Sequence, residues 1–522
     1  MTTLYTKYLR NLAGLLAIGS LVTLTACQDH RLPPNPGTLP DATIYALNDA
    51  NQLLRLNIQN PSVPLSTLVI TGVNFQAGER MISIDFRPAT GQLYGVSSMS
   101  RLFVINPATA EARPLTTMQF TPGMATNVVG MDFNPTVDRI RLVGNNGQDL
   151  RLNPETGLVV ATDGSINGVS GAMISEVAYT NNSAGATATT LYDIDPATDR
   201  LYIQNPPNNG TLTDVGPLGL DISGAAGFDI SPNDNTQGLV AVQFNGSSEL
   251  DQINLSTGRL QKLGNLPGTI IGLAIPTNPV AYAVDGSNNL LIFNPVSLTA
   301  TTTKTLTGLQ PGESILGIDS RPVNGQLYAL GSSSRLYTIA VTATASWSAV
   351  PVGSAGAFTL SGTDFGFDFN PTVDRIRVVS NTGQNLRLIP DNGALAATDG
   401  ALAFSPAGGT PNVSAAAYTN NFAGAATTTL YDIDVRAGGA VLFMQNPPNN
   451  GTLVSVGALG VDVESANGFD IGGATGTAYA LLRTGGNSTK VYTINLATGA
   501  ATAGATLPGN PVVRGFTIGL GF

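Results

Sequence analysis

The chain has 522 residues, with 24 Lys or Arg and 34 Asp or Glu, so its formal net charge is −10. This acidic balance without a basic cluster excludes nucleic acid as a partner, because a phosphate backbone would be repelled. Hydrophobic residues make up 42% of the chain and charged residues 11%, which excludes a disordered polymer. With 60 Gly and 32 Pro but only four Lys and seven Glu, the composition favours an all-β protein with many turns.

The chain has a single His, His30, and a single Cys, Cys27. His30 lies in a polar, Pro-rich stretch typical of a linker. A Ser-His-Asp triad, a Cys-His dyad and His-based metal sites are therefore excluded. One Cys forms neither an internal disulfide nor a zinc cluster.

The N-terminus has the pattern of a bacterial export signal. Lys7 and Arg10 precede a short, uncharged and mostly apolar segment, which suits a signal peptide better than a membrane span. The tetrapeptide LTAC that ends at Cys27 resembles the bacterial lipobox. That resemblance implies cleavage before Cys27 and attachment of a diacylglycerol to its thiol.

We therefore expect a lipoprotein signal peptide over residues 1–26 and a Pro-rich, semi-extended tether over 27–41. The membrane would be a partner only through the lipid on Cys27. The predicted location is the bacterial cell envelope, lipid-anchored, on the periplasmic side or at the cell surface.

The remainder of the chain is a tandem duplication. The segment FNPTVDRIR at 133–141 recurs at 369–377, QNPPNNGTL at 204–212 recurs at 445–453, and YTNN at 179–182 recurs at 418–421. The offsets stay between 234 and 241 residues. The first copy is predicted to cover residues 42–278 and the second residues 279–522.

A shorter period divides each copy into five units, each with alternating apolar strands separated by Pro, Asn and Gly turns. One column through the first strand of each unit consists of Asp85, Asp132, Ala178, Asp229, Ala274, Asp319, Asp368, Ala417, Asp470 and Thr517. Consecutive members are 45 to 53 residues apart, close to the length of a four-stranded propeller blade.

The two ends of each copy complete this pattern. Residues 41–57 resemble a unit without its first strand, which 270–275 would supply in the first copy and 516–520 in the second. Such an exchange closes a propeller and removes its exposed edge. We predict an all-β chain of tandem β-propellers, as two five-bladed rings, with a single ten-bladed ring as the alternative.

The repeated segments resemble those of a bacterial family known as domain of unknown function 4394. The likeness covers nearly all of residues 42–522, as two copies. It implies a secreted, β-propeller-like domain. It implies no activity and no catalytic residues.

The acidic members of the column are the candidate ligand-binding residues: Asp85, Asp132, Asp229, Asp319, Asp368 and Asp470. One interpretation is that each Asp caps the turn after its strand. The other is that three carboxylates per ring converge on a cation or a polar ligand. No cofactor is predicted. Ca²⁺ is the cation considered, but no DxDxDG loop occurs, and Asp193 and Asp195 are interpreted as exposed residues of a β-turn.

Two repeated Arg pairs form a second candidate site. Arg139 and Arg141 follow the PTVD turn in the first copy, and Arg375 and Arg377 follow it in the second. They are expected to pair with the neighbouring Asp138 and Asp374 or with adjacent blades, rather than to bind an acidic ligand.

The functional hypothesis is a binding or interaction module at the cell envelope, whose partner is an envelope protein or a glycan. One alternative is a carboxylate-dependent extracellular glycan hydrolase. Against it, the seven Glu hold no clear matched positions between the copies, and Trp347 is the only Trp. A structural envelope protein without a small-molecule ligand is the other alternative. No catalytic residue is predicted, and the enzyme question stays open.

Overall fold

The computed structural model describes residues 29–33, 39–436 and 439–522. The predicted signal peptide and the lipidation site Cys27 lie outside these residues. Within them, every element is a strand apart from two short 3-10 turns, Pro207–Asn209 and Pro448–Asn450. No helix among the described residues is long and apolar enough to cross a membrane.

The first copy contains 21 strands. They are β1 (Thr43–Asn48), β2 (Gln52–Asn57), β3 (Ser66–Val69), β4 (Thr71–Gly72), β5 (Met81–Phe86), β6 (Leu93–Ser97), β7 (Leu102–Ile105), β8 (Glu111–Pro114), β9 (Val129–Asn134), β10 (Arg139–Gly144), β11 (Asp149–Leu152), β12 (Val159–Thr162), β13 (Glu176–Tyr179), β14 (Leu191–Asp195), β15 (Arg200–Gln204), β16 (Leu212–Pro217), β17 (Gly224–Ile230), β18 (Gln237–Phe244), β19 (Ser247–Asn254), β20 (Leu260–Asn265) and β21 (Ile270–Ala274).

The second copy also contains 21 strands. Its strands are β22 (Ala281–Asp285), β23 (Asn289–Phe293), β24 (Thr301–Thr307), β25 (Ile315–Ser320), β26 (Leu327–Gly331), β27 (Arg335–Ala340), β28 (Ser346–Val352), β29 (Phe365–Asn370), β30 (Arg375–Ser380), β31 (Asn385–Leu388), β32 (Leu395–Thr398), β33 (Ala403–Ser405), β34 (Val413–Tyr418), β35 (Leu430–Arg436), β36 (Gly439–Gln445), β37 (Thr452–Ala458), β38 (Val463–Ile471), β39 (Ala478–Thr484), β40 (Ser488–Ile494), β41 (Ala501–Thr506) and β42 (Val513–Ile518).

Each blade is a sheet with four principal antiparallel strands, and its first strand is the innermost. In the first copy the inner strands contact one another in the closed order β21, β5, β9, β13, β17 and back to β21. In the second copy the closed order is β42, β25, β29, β34, β38 and back to β42. The described part of the chain therefore forms two five-bladed rings, as predicted, rather than one ring of ten blades.

A borrowed inner strand closes each ring. The last strand of the first copy, β21, pairs with β1, so that Leu273 lies opposite Ala46. The last strand of the second copy, β42, pairs with β22, and Phe516 lies opposite Ala283. The predicted exchange between the ends of each copy is confirmed. It removes the free edge that the first blade would otherwise expose.

The hydrophobic core lies between adjacent blades. All six residues of β5 are buried, because both faces of an inner strand are covered, whereas the outer strand β12 alternates half-buried and exposed residues. Tyr94 of one blade packs edge-to-face on Phe133 of the next, with ring centroids 5.2 Å apart. Tyr328 and Phe369 repeat this contact at 5.2 Å in the second ring.

The repeated FNPTVD segment forms an identical turn in each ring. The Asn134 side-chain oxygen accepts the Thr136 N–H at 3.0 Å, and Asp138 adopts the left-handed conformation with φ of 50°. Asn370 and Asp374 do the same in the second ring, again with φ of 50° at the Asp. Asp tolerates this conformation better than most residues, which accounts for its use at the turn.

Part of the predicted tether is bound to the first ring. In residues 29–33, the Leu32 N–H donates to the Leu260 carbonyl at 2.8 Å. The Arg31 guanidinium donates to Glu249 at 2.6 Å and to Asp251 at 3.0 Å. Asp251 is buried, so this ion pair holds the segment against the outer part of the fifth blade.

The two rings contact each other directly. The Tyr282 hydroxyl of the second ring donates to the Ala89 carbonyl of the first at 2.8 Å, and the Gly521 N–H donates to the Thr90 carbonyl at 2.8 Å. Trp347 is buried beside Tyr282, with centroids 6.3 Å apart. The loops that follow inner strands of both rings therefore meet at this junction.

Candidate functional site

The inner strands bring the predicted acidic residues together at the centre of each ring. Carboxylate oxygens of Asp85, Asp132 and Asp229 lie within 4.8 Å of one another, and so do those of Asp319, Asp368 and Asp470. We call these sets the first and second Asp trios. All six side chains are buried, and each comes from a different blade. The remaining column positions carry the small residues Ala178, Ala274, Ala417 and Thr517.

Most of these carboxylates also link neighbouring blades. Five accept the backbone N–H that follows the column position of the next blade: Asp85 from Phe133 (2.9 Å), Asp229 from Ile275 (2.6 Å), Asp319 from Phe369 (2.7 Å), Asp368 from Tyr418 (3.1 Å) and Asp470 from Ile518 (2.7 Å). Four also accept the N–H of the residue that follows them, at 2.6 to 2.7 Å. The same side chains thus cap their own strands and converge on the ring centre.

Asp132 is the exception in the first trio. Among the described residues, neither of its carboxylate oxygens has a hydrogen-bond partner, although it is fully buried. The Tyr179 backbone N–H is close enough to lower the pKa of Asp132 slightly, against the larger effect of burial, but it does not form a hydrogen bond with either oxygen. A buried carboxylate without hydrogen bonds costs several kcal/mol, on the order of the transfer penalty for a polar group.

The second trio has a related deficit. The Thr517 hydroxyl lies 2.8 Å from an oxygen of Asp319 and 2.8 Å from an oxygen of Asp470. A hydroxyl has one proton, so it donates to only one of the two carboxylates at a time. The other contact is satisfied when that carboxyl group is protonated and donates to the hydroxyl oxygen, or when a cation lies beside it.

Burial raises the pKa of all six carboxyl groups. It raises the pKa of Asp229 to about 7 and that of Asp470 to about 6. For Asp132 and Asp368, burial and then the neighbouring carboxylates of the same trio raise the pKa well above its usual range. Three like charges this close in a buried site are unfavourable unless protons or a cation neutralise them.

A second buried site joins the third and fourth blades of the first ring. We call it the Arg141 clasp, after its central guanidinium. Arg141 donates to the Tyr179 hydroxyl (3.0 Å), Asp149 (2.6 Å), Asp163 (2.8 Å) and the Asn208 side-chain oxygen (2.8 Å). These partners come from four separate stretches of sequence, all of which recur in the second copy, and the partner residue itself is the same in three of them.

The second ring contains the equivalent Arg377 clasp. Arg377 donates to the Tyr418 hydroxyl (3.2 Å), Asn385 (2.6 Å), Asp399 (2.6 Å) and Asn449 (2.8 Å). The two clasps differ in one partner, since Asn385 replaces Asp149. The repeated motifs are therefore explained by a structural contact between blades.

The predicted partners of the Arg pairs are correct in part. Arg141 and Arg377 bind adjacent blades, as expected. Asp138 and Asp374, however, do not pair with them: Arg87 of the preceding blade binds Asp138, and Arg321 binds Asp374. The left-handed turn directs each Asp toward the preceding blade.

Two further expectations from the sequence are wrong. Asp193 and Asp195 are buried in β14 rather than exposed in a turn. Glu79 and Glu313 do hold matched positions, six residues before the column Asp of the second blade in each ring, and both are buried. Their partners are structural: Arg101 donates to Glu79 at 2.9 Å, and the Tyr337 hydroxyl donates to Glu313 at 2.8 Å.

A chamber of about 600 Å³ lies where the rings meet. Its wall in the first ring includes Val73, Ile105 and Arg113 of the second blade. Its wall in the second ring is formed by loops after inner strands, represented by Val323, Phe422, Gly473 and Leu520. The second Asp trio lies at the same end of those inner strands. No signal within one copy indicates the chamber, because it depends on how the rings are placed.

The closed rings, the trios and the clasps together define a tandem β-propeller protein with two five-bladed rings. The model of the family described as Domain of unknown function (DUF4394) matches residues 52–274 and 289–517. The chain belongs to this family, with one match in each ring. No curated protein sequence matches the chain significantly.

Solved structures similar to this chain share little sequence with it. PorZ, an essential surface component of the type-IX secretion system of Porphyromonas gingivalis, is 13% identical, with 92% of this chain and 69% of PorZ covered and a TM-score of 0.25. A protein from Lactobacillus plantarum is 16% identical, with 66% and 98% covered and a TM-score of 0.26. A putative 6-phosphogluconolactonase from Bacteroides uniformis is 16% identical, with 66% and 98% covered and a TM-score of 0.25.

Proposed function

We propose that the protein is an exported binding module of the bacterial cell envelope that binds a small, mostly apolar molecule in the chamber between its rings. The chamber is the observation that carries this proposal. Its volume of about 600 Å³ falls in the range of small-molecule sites, which is roughly 300–1,000 Å³.

The chamber exposes apolar side chains from both rings. Val73 of the first ring is 42% exposed, and Val323 and Phe422 of the second ring are 41% and 39% exposed. Apolar surface in a concave site is favourable to cover, because its burial removes it from water. A mainly apolar ligand that contacts both walls would bury the most apolar surface and would therefore bind most tightly.

A few polar groups accompany this surface. Arg113 and Glu111 form an ion pair at 2.7 Å on the chamber wall, and both side chains remain partly exposed. Asn74 and Asn106 add amide groups. A small number of polar groups in an apolar site orients a ligand and contributes specificity.

The location rests on the lipid expected at Cys27. Asp29 and Arg31, only a few residues later, are held on the first ring. A lipid on Cys27 would therefore keep the first ring close to the membrane surface instead of at the end of a long tether. Mass spectrometry of the mature N-terminus tests this, and an unmodified Cys27 would refute the anchor.

The hydrolase alternative has less support. Glycosidases place two carboxyl groups about 5–5.5 Å or 6.5–9.5 Å apart on either side of an accessible bond. The carboxylates of each trio lie within 4.8 Å, are buried, and mostly bind backbone N–H groups. None of the six is among the described residues that line the chamber.

The binding proposal is tested on the full mature chain with the fluorescent probe 1-anilinonaphthalene-8-sulfonate, an anion whose aromatic rings bind apolar surface. Phe422→Ser should weaken probe binding at least tenfold, because it removes the largest exposed apolar side chain of the chamber. The first ring carries Ser183 at the equivalent loop position, so the backbone accommodates Ser. Val296→Ser is the matched control, since Val296 is 65% exposed but lies away from the chamber.

Equal loss of binding in both variants, or no loss in Phe422→Ser, would refute the chamber as the site. Absence of probe binding by the wild-type chain would favour the structural-protein alternative.

A further inference from the structure

We propose that each ring binds one divalent cation of the calcium class at its centre, held by the first Asp trio in one ring and the second in the other. The site is made of oxygen ligands only, which hard cations such as Ca²⁺ prefer. It is separate from the chamber, so this proposal does not depend on the proposed function.

The spacing of the oxygens is compatible with such an ion. Oxygens of each trio lie within 4.8 Å of one another. A cation at the centre of a triangle with edges of that length would be about 2.8 Å from each corner, and small side-chain movements would bring it to the roughly 2.3–2.6 Å of Ca²⁺ ligands. Mg²⁺ requires shorter distances, about 2.0–2.1 Å, and near-ideal octahedral geometry.

The unpartnered side chain of Asp132 is an independent indication in the first ring. It is fully buried, its carboxylate is directed into the trio, and neither oxygen accepts a hydrogen bond among the described residues. Its trio partners Asp85 and Asp229 each accept two backbone N–H groups. A cation would supply the positive partner that Asp132 lacks.

The second ring repeats the trio, and two of its carboxylates contact the same hydroxyl group. The Thr517 hydroxyl contacts both Asp319 and Asp470 at 2.8 Å but has one proton to donate. Asp368 accepts a single hydrogen bond, at 3.1 Å from the Tyr418 N–H. The same three blades carry the carboxylates in both rings, although much of the sequence differs between the two copies.

A bound cation would also strengthen the rings. The three carboxylates of a trio belong to three blades. Through the backbone N–H groups that they accept, they also bind the first blade in the first ring, and the first and fourth blades in the second ring. One ion at the centre would therefore add direct links between three blades, two of which are not adjacent in the ring.

The test measures calcium bound to the full mature chain. The protein is stripped with EDTA, and Ca²⁺ or Mg²⁺ binding is followed by calorimetry, with the metal content checked by mass spectrometry. We expect two Ca²⁺ per chain and a higher Tm with Ca²⁺ than with EDTA. Asp132→Asn and Asp368→Asn should each reduce the stoichiometry to one, and the double variant should bind none.

Asp285→Asn is the control, because Asp285 lies at the end of β22 outside both trios. Absence of bound Ca²⁺ in the wild-type chain, with an unchanged Tm in EDTA, would overturn the proposal and show that the trios share protons instead. Stronger binding of Mg²⁺ than of Ca²⁺ would overturn the assignment of the cation. The wild-type measurement tests the cation proposal even if a variant fails to fold. Probe binding in the chamber is measured separately, so failure of one proposal is distinguishable from failure of the other.

Discussion

Replacing Arg141 with Ala should destabilise the first ring by about 3–5 kcal/mol, the usual cost of removing one partner from a buried ion pair. The substitution removes four hydrogen bonds, two of which reach Tyr179 and Asn208 of the fourth blade. Asp163 keeps Arg151 as a partner, at 2.7 Å. Asp149 keeps only the Gln204 amide, at 2.7 Å, so a buried carboxylate loses its cation.

The second ring provides the matched comparison. Arg377→Ala breaks the equivalent contacts, but Asn385 is neutral and still donates to the Gly400 and Pro448 carbonyls at 3.0 and 3.1 Å. Among the groups that Arg377 binds directly, Asp399 is the carboxylate, and it keeps Arg387 at 2.8 Å. The loss should therefore be smaller than for Arg141→Ala by about 1–3 kcal/mol, the penalty for one buried unsatisfied group.

Hydrogen–deuterium exchange followed by mass spectrometry is the appropriate assay, because a chain with two rings need not unfold in a single transition. Exchange in β10 and β15 should increase in Arg141→Ala, and exchange in β30 and β36 should increase less in Arg377→Ala. Equal effects in the two rings would refute the role assigned to the charge of Asp149. Unchanged exchange in both variants would refute the clasp as a source of stability.

Three further outcomes are expected. Asp149→Asn should change stability little near pH 4, since Asn385 fills the same place in the second ring. Because burial raises the pKa of Asp149 to about 6, the wild-type carboxyl group lowers the free energy of unfolding as pH rises from about 4 to 6. The variant should lose less stability over that interval in denaturant titrations, and an identical pH dependence would contradict this. Phe133→Ala should cost about 3–5 kcal/mol, because it leaves a cavity beside Tyr94 between two blades, and a loss under 1 kcal/mol in chemical denaturation would contradict the packing. Arg31→Ala should release residues 29–33 from the first ring and make them sensitive to limited proteolysis, with Arg55→Ala as an unrelated surface control; equal resistance in both variants would show that the ion pair does not hold the segment.

The repeat architecture could be predicted because it depends on local patterns. Inner strands such as β5 are mostly apolar, with Ser83 and Asp85 as its polar residues, and the turns between strands carry Gly, Asn and Pro at regular distances. The column through Asp85 and its equivalents therefore identified the innermost strand of every blade. The borrowed strands β21 and β42 followed from the missing strand at the start of each copy.

The clasps could not be predicted in the same way. Their members are up to 67 residues apart in the first ring, and only the propeller topology brings Arg141 and Asn208 together. The sequence nevertheless contained a signal, because the segments around Arg141, Tyr179 and Asn208 are the ones that recur almost unchanged. Identical motifs in two diverged copies are typical of residues that share a contact, but they do not identify its partners.

The chamber lay beyond sequence reasoning for another reason. Val73, Val323 and Phe422 are apolar residues in loops, and nothing in a repeat pattern distinguishes them from residues that pack in a core. They line one chamber because the two rings are in contact, as at Tyr282 and Ala89. The equivalent of Phe422 in the first ring is Ser183, so comparing the two copies does not identify this position as apolar.

Anomalous diffraction from crystals of the mature chain grown with Ca²⁺ tests the central claim most directly, namely that the inner strands of each ring converge on one site. Two closed five-bladed rings should be visible, with one anomalous peak within about 2.3–2.6 Å of carboxylate oxygens from each Asp trio. Trio carboxylates that bind only protein groups, with no peak at either ring centre, would contradict the cation sites. A single ring of ten blades would contradict the account as a whole.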